Sequence, residues 1–338
     1  MLAYKAEQRL GTGETMRRRE FIALMGASVA WSFAAMAQQA GRTYRVGGLS
    51  VGPRSAPVIA AMFDELRRFG FIEGQNLTID WRQYTLHIDL ISEFAADLVK
   101  AKVDVIYAVG DAAIRAAQRA TTTIPILGST DDMVEAGLVK SLARPEGNTT
   151  GTSILSVELD GKRQEILIEA VPGLRRMAAL ADSNRTAGSR LQALNEEAHL
   201  RNVELSVHQI AKPEEIPAAI DAAKTSGAAA LNLLSSPLLY GNRQLIMDRV
   251  AALRLPTIYF FPEVAEEGGF VAYGARVVEL FREVMARQLV QLLRGIKVAD
   301  IPVEQPTKFE LVINLKTANA LGVTVPPTLL ARADKVIE

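Results

Sequence analysis

Small polar residues recur in this chain where apolar runs stop: Ser50 and Gly52; Gly110 and Asp111; Ser129, Thr130 and Asp131; Asp182, Ser183 and Asn184; Ser235 and Ser236. In an open α/β sheet the carboxyl ends of the strands are where ligands bind, because helix N-termini there present unpaired N–H groups. Short side chains at those ends let a ligand approach the backbone. The spacing therefore predicts a binding surface: an anionic group on N–H groups and hydroxyls of Ser50, Ser129, Thr130, Ser235 or Ser236, and an ammonium on Asp111 or Asp131. Together these describe an amino-acid zwitterion. Phe261 and Tyr273, with Tyr84, Tyr107 and Tyr240, are candidates for an aromatic or apolar wall, and equally for lobe packing. Helix N-capping, which favours Ser, Thr, Asp and Asn, is the other reading of each polar residue.

Bond-making chemistry finds little support. The histidines are His87, His199 and His208, and none falls in an H-E-x-x-H pattern or pairs with another at metal-ligand spacing. G-x-S-x-G, G-x-x-x-x-G-K-[ST] and G-x-G-x-x-G at a strand end are all missing, and Gly47 to Gly52 is glycine-rich without dinucleotide spacing. Asp131-Asp132 and Glu266-Glu267 are adjacent acids with no sign of a raised-pKa setting. No catalytic residue, metal site or cofactor is expected.

The elements that must position these residues alternate. Residues 44–49, 77–81, 103–109 and 124–127 read as strands, the third almost wholly apolar and so buried on both faces. Between them, 58–69, 90–99 and 112–120 carry apolar residues at helical spacing, and 132–142 is read as a further helix. The pattern restarts with helix 159–171, strand 177–181, helix 189–201, strand 203–210, helix 214–224, strand 229–234, helix 243–253 and strand 257–261. This order predicts two Rossmann-like lobes, each a parallel sheet with helices on both faces. Strand 270–273, helix 277–293 and strand 309–314 are surplus to the second set. They are explained if the chain crosses back near 269–273 and again near 301–306, making a multi-crossing hinge. The expected division is 43–152 plus 271–300 for lobe 1, and 153–270 plus 301–338 for lobe 2.

Composition agrees with a globular α/β protein: 338 residues, 49% hydrophobic, 22% charged. Lys plus Arg equals Asp plus Glu at 38 each, so no basic field favours nucleic acid. With no cysteine, disulfides, thiolate chemistry and a lipid-bearing cysteine are excluded. Residues 1–37 read as a signal segment. Arg17-Arg18-Arg19 precedes an uncharged run from Phe21 to Ala37, closed by the A-x-A site Ala35-Met36-Ala37. Arg18-Arg19-x-Phe21-Ile22 fits a twin-arginine signal, with Met16 as the start. A membrane anchor is the competing reading, weakened by Gly26, Ser28 and Ser32. The expected location is periplasmic.

Several blocks resemble the tryptophan-binding-type ABC transporter substrate-binding proteins: Phe71 to Asn76, Thr123 to Ile126, Ser141 to Gly151, Pro302 to Thr317, and Pro326-Pro327-x-Leu329-Leu330-Ala331-Arg332-Ala333-Asp334. The resemblance covers essentially the whole chain after the signal segment. It implies a type I periplasmic-binding fold with three crossings, a monomer that delivers a small molecule to an ABC permease, and aromatic or apolar amino acids among the ligands. The family's Gly-Thr-Pro-Ala after the third strand is here Gly110-Asp111-Ala112-Ala113. Its Gly-Asp-Pro-Val becomes Thr130-Asp131-Asp132-Met133-Val134, and its Asn-Pro-type loop becomes Asp182-Ser183-Asn184. These departures fall on the ligand loops and leave the fold blocks intact. A sensory protein of the same fold, signalling to a membrane receptor, is the alternative; an exported Rossmann-like enzyme fits less well.

Overall fold

The computed structural model describes residues 42–84 and 87–338. The signal-segment reading of 1–37 lies outside them. The first sheet has the order β2-β1-β3-β4-β5. Its strands are β1 (Tyr44–Ser50), β2 (Leu77–Gln83), β3 (Val105–Val109), β4 (Ile126–Thr130) and β5 (Thr149–Ser153), all parallel. Side chains alternate across it as the pleat requires. Val46, Val105, Tyr107 and Leu127 face helix α1 (Pro57–Arg68), while Leu49, Ile106, Ala108 and Ile126 face α2 (Ile91–Lys100) and α3 (Asp111–Ala120).

The second sheet has the order β12-β11-β10-β9-β8-β6-β7. In chain order its elements are α4 (Asp160–Ala170), β6 (Arg176–Asp182), α5 (Gly188–Leu200), β7 (Glu204–Ile210), α6 (Ile216–Thr225) and β8 (Leu231–Leu233). Then come α7 (Pro237–Gly241), α8 (Arg243–Ala252), β9 (Thr257–Tyr259), α9 (Pro262–Glu266) and β10 (Val271–Gly274). After β10 the chain returns to the first lobe as α10 (Val277–Leu280), a π turn (Phe281–Met285) and α11 (Ala286–Leu293). The rest of the second sheet follows: β11 (Glu310–Asn314), α12 (Leu315–Leu321), α13 (Pro327–Leu330) and β12 (Lys335–Ile337). The fold is that of two α/β lobes. Only the β10–β11 pair is antiparallel among the pairings of described residues. No helix of the described residues is long and apolar enough to cross a membrane.

The structure departs from the sequence reading at particular places. Residues 132–142 form turns, not a helix. Asp132 Oδ1 accepts the N–H groups of Val134 (2.7 Å) and Glu135 (2.9 Å), as a helix N-cap does. But Gly137 is left-handed (φ 63°) and the N–H groups of Leu138 and Val139 both return to Met133 O, so a single turn forms and stops. Strand β10, expected with the first lobe, pairs with β9 and β11 in the second sheet, so the crossing follows Gly274 instead of preceding it. Residues 303 and 304, assigned to the second lobe, hydrogen-bond the first: Val303 N–H to Leu142 O (2.8 Å) and Glu304 N–H to Gly151 O (3.0 Å).

One packing detail sets the shape of the ligand side. Gly48, in β1, lies beside Trp81 of β2, and a β-carbon there would overlap the indole ring. The indole stacks on Tyr107 at 5.9 Å, and its Nε1–H donates to Gly52 O at 3.3 Å, which holds the loop after β1 against the sheet. Gly48→Ala is therefore expected to displace the ring and destabilise the fold by about 2 kcal/mol, the cost of overpacking. A red-shifted tryptophan emission with a lowered melting temperature would register it. Unchanged emission and melting would show that the indole does not occupy that space.

Candidate functional site

A cavity of ≈ 380 Å³ opens between the two sheets' strand ends. From the first lobe it is lined by Ser50 to Pro53 after β1, by Tyr107, Val109 and Gly110 at the end of β3, and by Ser129, Thr130 and Asp131 at the end of β4. The second lobe contributes Arg185, Ser235, Ser236, Tyr240, Arg243, Phe260 and Phe261. Ile154, Ser156 and Val157 come from the first crossing, and Val277 and Phe281 from the second.

The wall is aromatic by construction. Phe260 and Phe261 meet edge to face at 4.9 Å, and Phe261 meets Tyr240 at 5.1 Å. Tyr107 forms a T with Phe281 at 6.5 Å. Burial pushes the Tyr240 hydroxyl up to about 12, so it stays neutral. Edge-to-face rings of this kind make a stiff, apolar surface suited to another ring.

The polar groups sort into occupied and open. Ser236 Oγ donates to Asp182 (2.9 Å) and accepts the N–H groups of Leu238 and Leu239, so it caps α7. Thr130 Oγ1 donates to Asp111, and Ser50 Oγ accepts Gly52 N–H at 3.3 Å. Asp131 Oδ1 accepts the N–H groups of Ser156 (2.8 Å) and Val157 (2.9 Å), which ties the end of β4 to the first crossing. Its other oxygen has no hydrogen-bond partner among the described residues. Burial raises the Asp131 carboxyl above the usual carboxylate range, with the two backbone donors and the cations Arg190 and Arg185 pulling the other way.

Most of the sequence-derived candidates meet at this cavity: Ser50, Gly52, Gly110, Ser129, Thr130, Asp131, Ser235, Ser236 and Phe261 line it. Asp111, Asp182, Asn184 and Tyr273 do not. Asp182 is buried and spends its carboxylate on Ser236 Oγ and Asn184 N–H, a loop-holding role. The Asn184 side chain donates to Ala211 O at 3.3 Å. Tyr273, on β10, packs with the core on the far face of the second sheet. Asp111 stands just outside the lining, against Thr130 and Arg185. Of the other expected rings, Tyr84 is buried with its hydroxyl donating to Val109 O at 2.8 Å, whereas Tyr107 and Tyr240 do line the cavity.

Arg185, Arg243, Phe260 and Phe281 were not anticipated. Arg185 is the residue after Asn184, one step further along a strand-end loop that the sequence had already marked. Arg243 stacks over the Tyr240 ring at 4.8 Å and gives its fork to Glu267 at 2.6 and 3.1 Å. His199 and His208 lie on α5 and β7, away from the cavity lining. Among the described residues, no group of three or more His, Cys, Asp or Glu side chains could hold a metal ion.

Known proteins resemble this chain in sequence and in fold. A tyrosine-binding protein of Clostridioides difficile is 28% identical over 261 residues, 75% of this chain and 72% of that protein. Two solved structures share the fold. One is an ABC domain in complex with L-Trp from Streptococcus pneumoniae (TM-score 0.73, 23% identity, 87% of this chain and 100% of that one). The other is a conserved domain protein from Vibrio cholerae (TM-score 0.75, 24% identity, 87% of this chain and 100% of that one). The ABC transporter substrate binding protein profile matches residues 56–337, nearly all of the described chain, and the protein belongs to that family.

Proposed function

We propose that this protein is exported to the periplasm, works as a monomer, captures an aromatic or apolar amino acid between its lobes, and delivers it to an ABC permease. It performs no chemistry on the ligand. The observation that carries the reading is the cavity itself: rings from both lobes and the second crossing surround a carboxylate, Asp131, with one oxygen left for a ligand ammonium. The name of the C. difficile relative, a tyrosine-binding protein, supports an aromatic ligand. A ligand touching both lobes favours the closed arrangement over the open one, and that population shift is what a permease would recognise.

Titration of the purified protein with L-tyrosine, L-tryptophan and L-phenylalanine tests the proposal, since a ligand that binds only the native state raises its melting temperature. At least one is expected to bind with a clear shift; a flat response to all would sink the reading. Asp131→Asn is expected to weaken binding about 10–100-fold, as loss of a charged hydrogen bond of roughly 1.5–3 kcal/mol. The pH dependence follows from the raised carboxyl. An ammonium needs the carboxylate form, so the dissociation constant should begin to rise while acidification is still above the ordinary carboxylate pKa, by about tenfold per unit below the actual one. The Asn variant should lack that rise. A wild-type profile that stays flat down to the ordinary carboxylate range would remove Asp131 from the site.

A further inference from the structure

The expected hydroxyls can donate to the ligand's acidic group but bring no charge to it. Thr130 Oγ1 donates to Asp111 and Ser236 Oγ to Asp182, whereas Ser50 Oγ, which accepts Gly52 N–H, keeps its own hydrogen and Ser129 Oγ has no hydrogen-bond partner among the described residues. Two cations line the cavity. The guanidinium of Arg243 is already paired with Glu267 through two hydrogen bonds. Arg185 is different. Its backbone N–H is fixed to Asp182 O at 3.0 Å, which anchors the residue at the end of β6. Its guanidinium, 27% exposed, reaches across from the second lobe and makes no side-chain hydrogen bond to the described residues. Its ion-pair contact is Asp111 Oδ1 of the first lobe, at 3.6 Å, too long for a hydrogen bond. A planar fork with unspent donors at the edge of an apolar cavity is the arrangement that recognises a carboxylate.

We infer that Arg185 binds the ligand's carboxylate and that Asp111 is a positioning residue, holding the guanidinium over the cavity from the opposite lobe. This rests on the proposed function and deepens it. Asp131 on the first lobe and Arg185 on the second then take the two charges of one α-amino acid, so that neither lobe alone satisfies the ligand. Arg185 acts electrostatically on Asp131, consistent with both facing one small space. The chemical class selected is an α-amino acid with a free carboxylate and a ring. Amides and esters of the same skeleton bind more weakly, because they bring no negative charge to Arg185.

The test is calorimetry on the full chain with L-tyrosine, L-tyrosinamide and 3-(4-hydroxyphenyl)propionate, an acid of the same ring without the amine. The proteins are wild type, R185Q, R185K and D111N, each first shown to melt cooperatively. Wild type is expected to prefer L-tyrosine over its amide by at least about tenfold. R185Q should bring that ratio close to unity by weakening the acid and leaving the amide unmoved. R185K, which keeps the charge and loses the fork, should restore part of the preference, and stands in if R185Q does not fold. D111N should lower the ratio to an intermediate value, whereas a merely structural loss would weaken acid and amide alike. A wild-type ratio retained in R185Q, or an equal loss for both ligands, overturns the assignment. If the amine-free acid binds as tightly as L-tyrosine and R185Q still weakens it, the Asp131 part of the proposed function fails while Arg185 stands. If none of the three ligands binds wild type, both fail together.

Discussion

Gly151→Ala is expected to destabilise the protein by about 4 kcal/mol, near the upper end for a single substitution. Gly151 lies in β5 directly opposite Gly128 of β4, and its φ of 145° belongs to a region that side chains rarely adopt. A β-carbon there would overlap the backbone of Gly128, including its carbonyl oxygen. Neither strand has room to yield. The Gly151 carbonyl accepts Glu304 N–H at 3.0 Å and Gln288 Nε2–H at 3.2 Å, and the same Gln288 amide donates to Pro302 O at 3.1 Å. Strand β5, the segment 302–304 and α11 therefore meet at this glycine, so strain placed there is not absorbed by a loop. Thermal denaturation should show a fall of about 10 °C, taking 2–4 °C per kcal/mol for a chain of this size. A melting temperature within about 2 °C of wild type would mean that β4 and β5 do not pair in this register.

The alternation of strands and helices was legible because the two periodicities are strong over most of the chain. The run ending at Val109 is apolar on both faces, and it became the central strand β3. Strand-end residues were legible for the same reason: Ser50, Gly110, Ser129 and Ser235 follow runs whose type is unambiguous, and the topology brings them to one cavity. What failed depends on long-range choices. Periodicity cannot say which sheet a short strand such as Val271–Gly274 will join, and here pairing with β9 decided it. Nor does it register an early stop, and the left-handed Gly137 ended a helix-like stretch after one turn. Asp182 has the composition of a ligand contact and the geometry of a loop brace, which only its distance from Ser236 reveals. Arg185 and Phe260 lie next to residues already selected, so their roles turned on orientation.

Arg163→Met should be the most damaging change among the buried polar residues, because this arginine joins the hinge to the ligand wall. It sits in α4 with no exposed surface. One end of its guanidinium donates to Ser156 O, in the first crossing, and to Asp160; the other donates to Tyr273 O, just before the second crossing, at 3.2 Å. The same group lies 6.0 Å from the centre of the Phe260 ring, which faces the cavity. Burial lowers its pKa to about 9, so it remains cationic at neutral pH, with Asp131 among the charges that favour this form. Methionine would fill much of the volume but take the guanidinium donor from Tyr273 O, leave Ser156 O with only the Leu159 N–H at 3.3 Å, and leave Asp160 to Arg190 and a long Ser235 N–H contact of 3.4 Å. Breaking a buried, hydrogen-bonded charge costs about 3–5 kcal/mol, and the remaining arginine places this case near the lower figure. The expected readouts are a melting temperature lowered by about 6–12 °C and a broader distribution of spin-label distances between the lobes, since the two crossings would no longer be held to one helix. Arg163→Lys should recover only part of the loss, because an ammonium cannot reach both carbonyls at once. A narrow wild-type distance distribution in Arg163→Met, even with lowered stability, would show that the crossings are stiff without the clamp and that Arg163 serves the core of the second lobe alone.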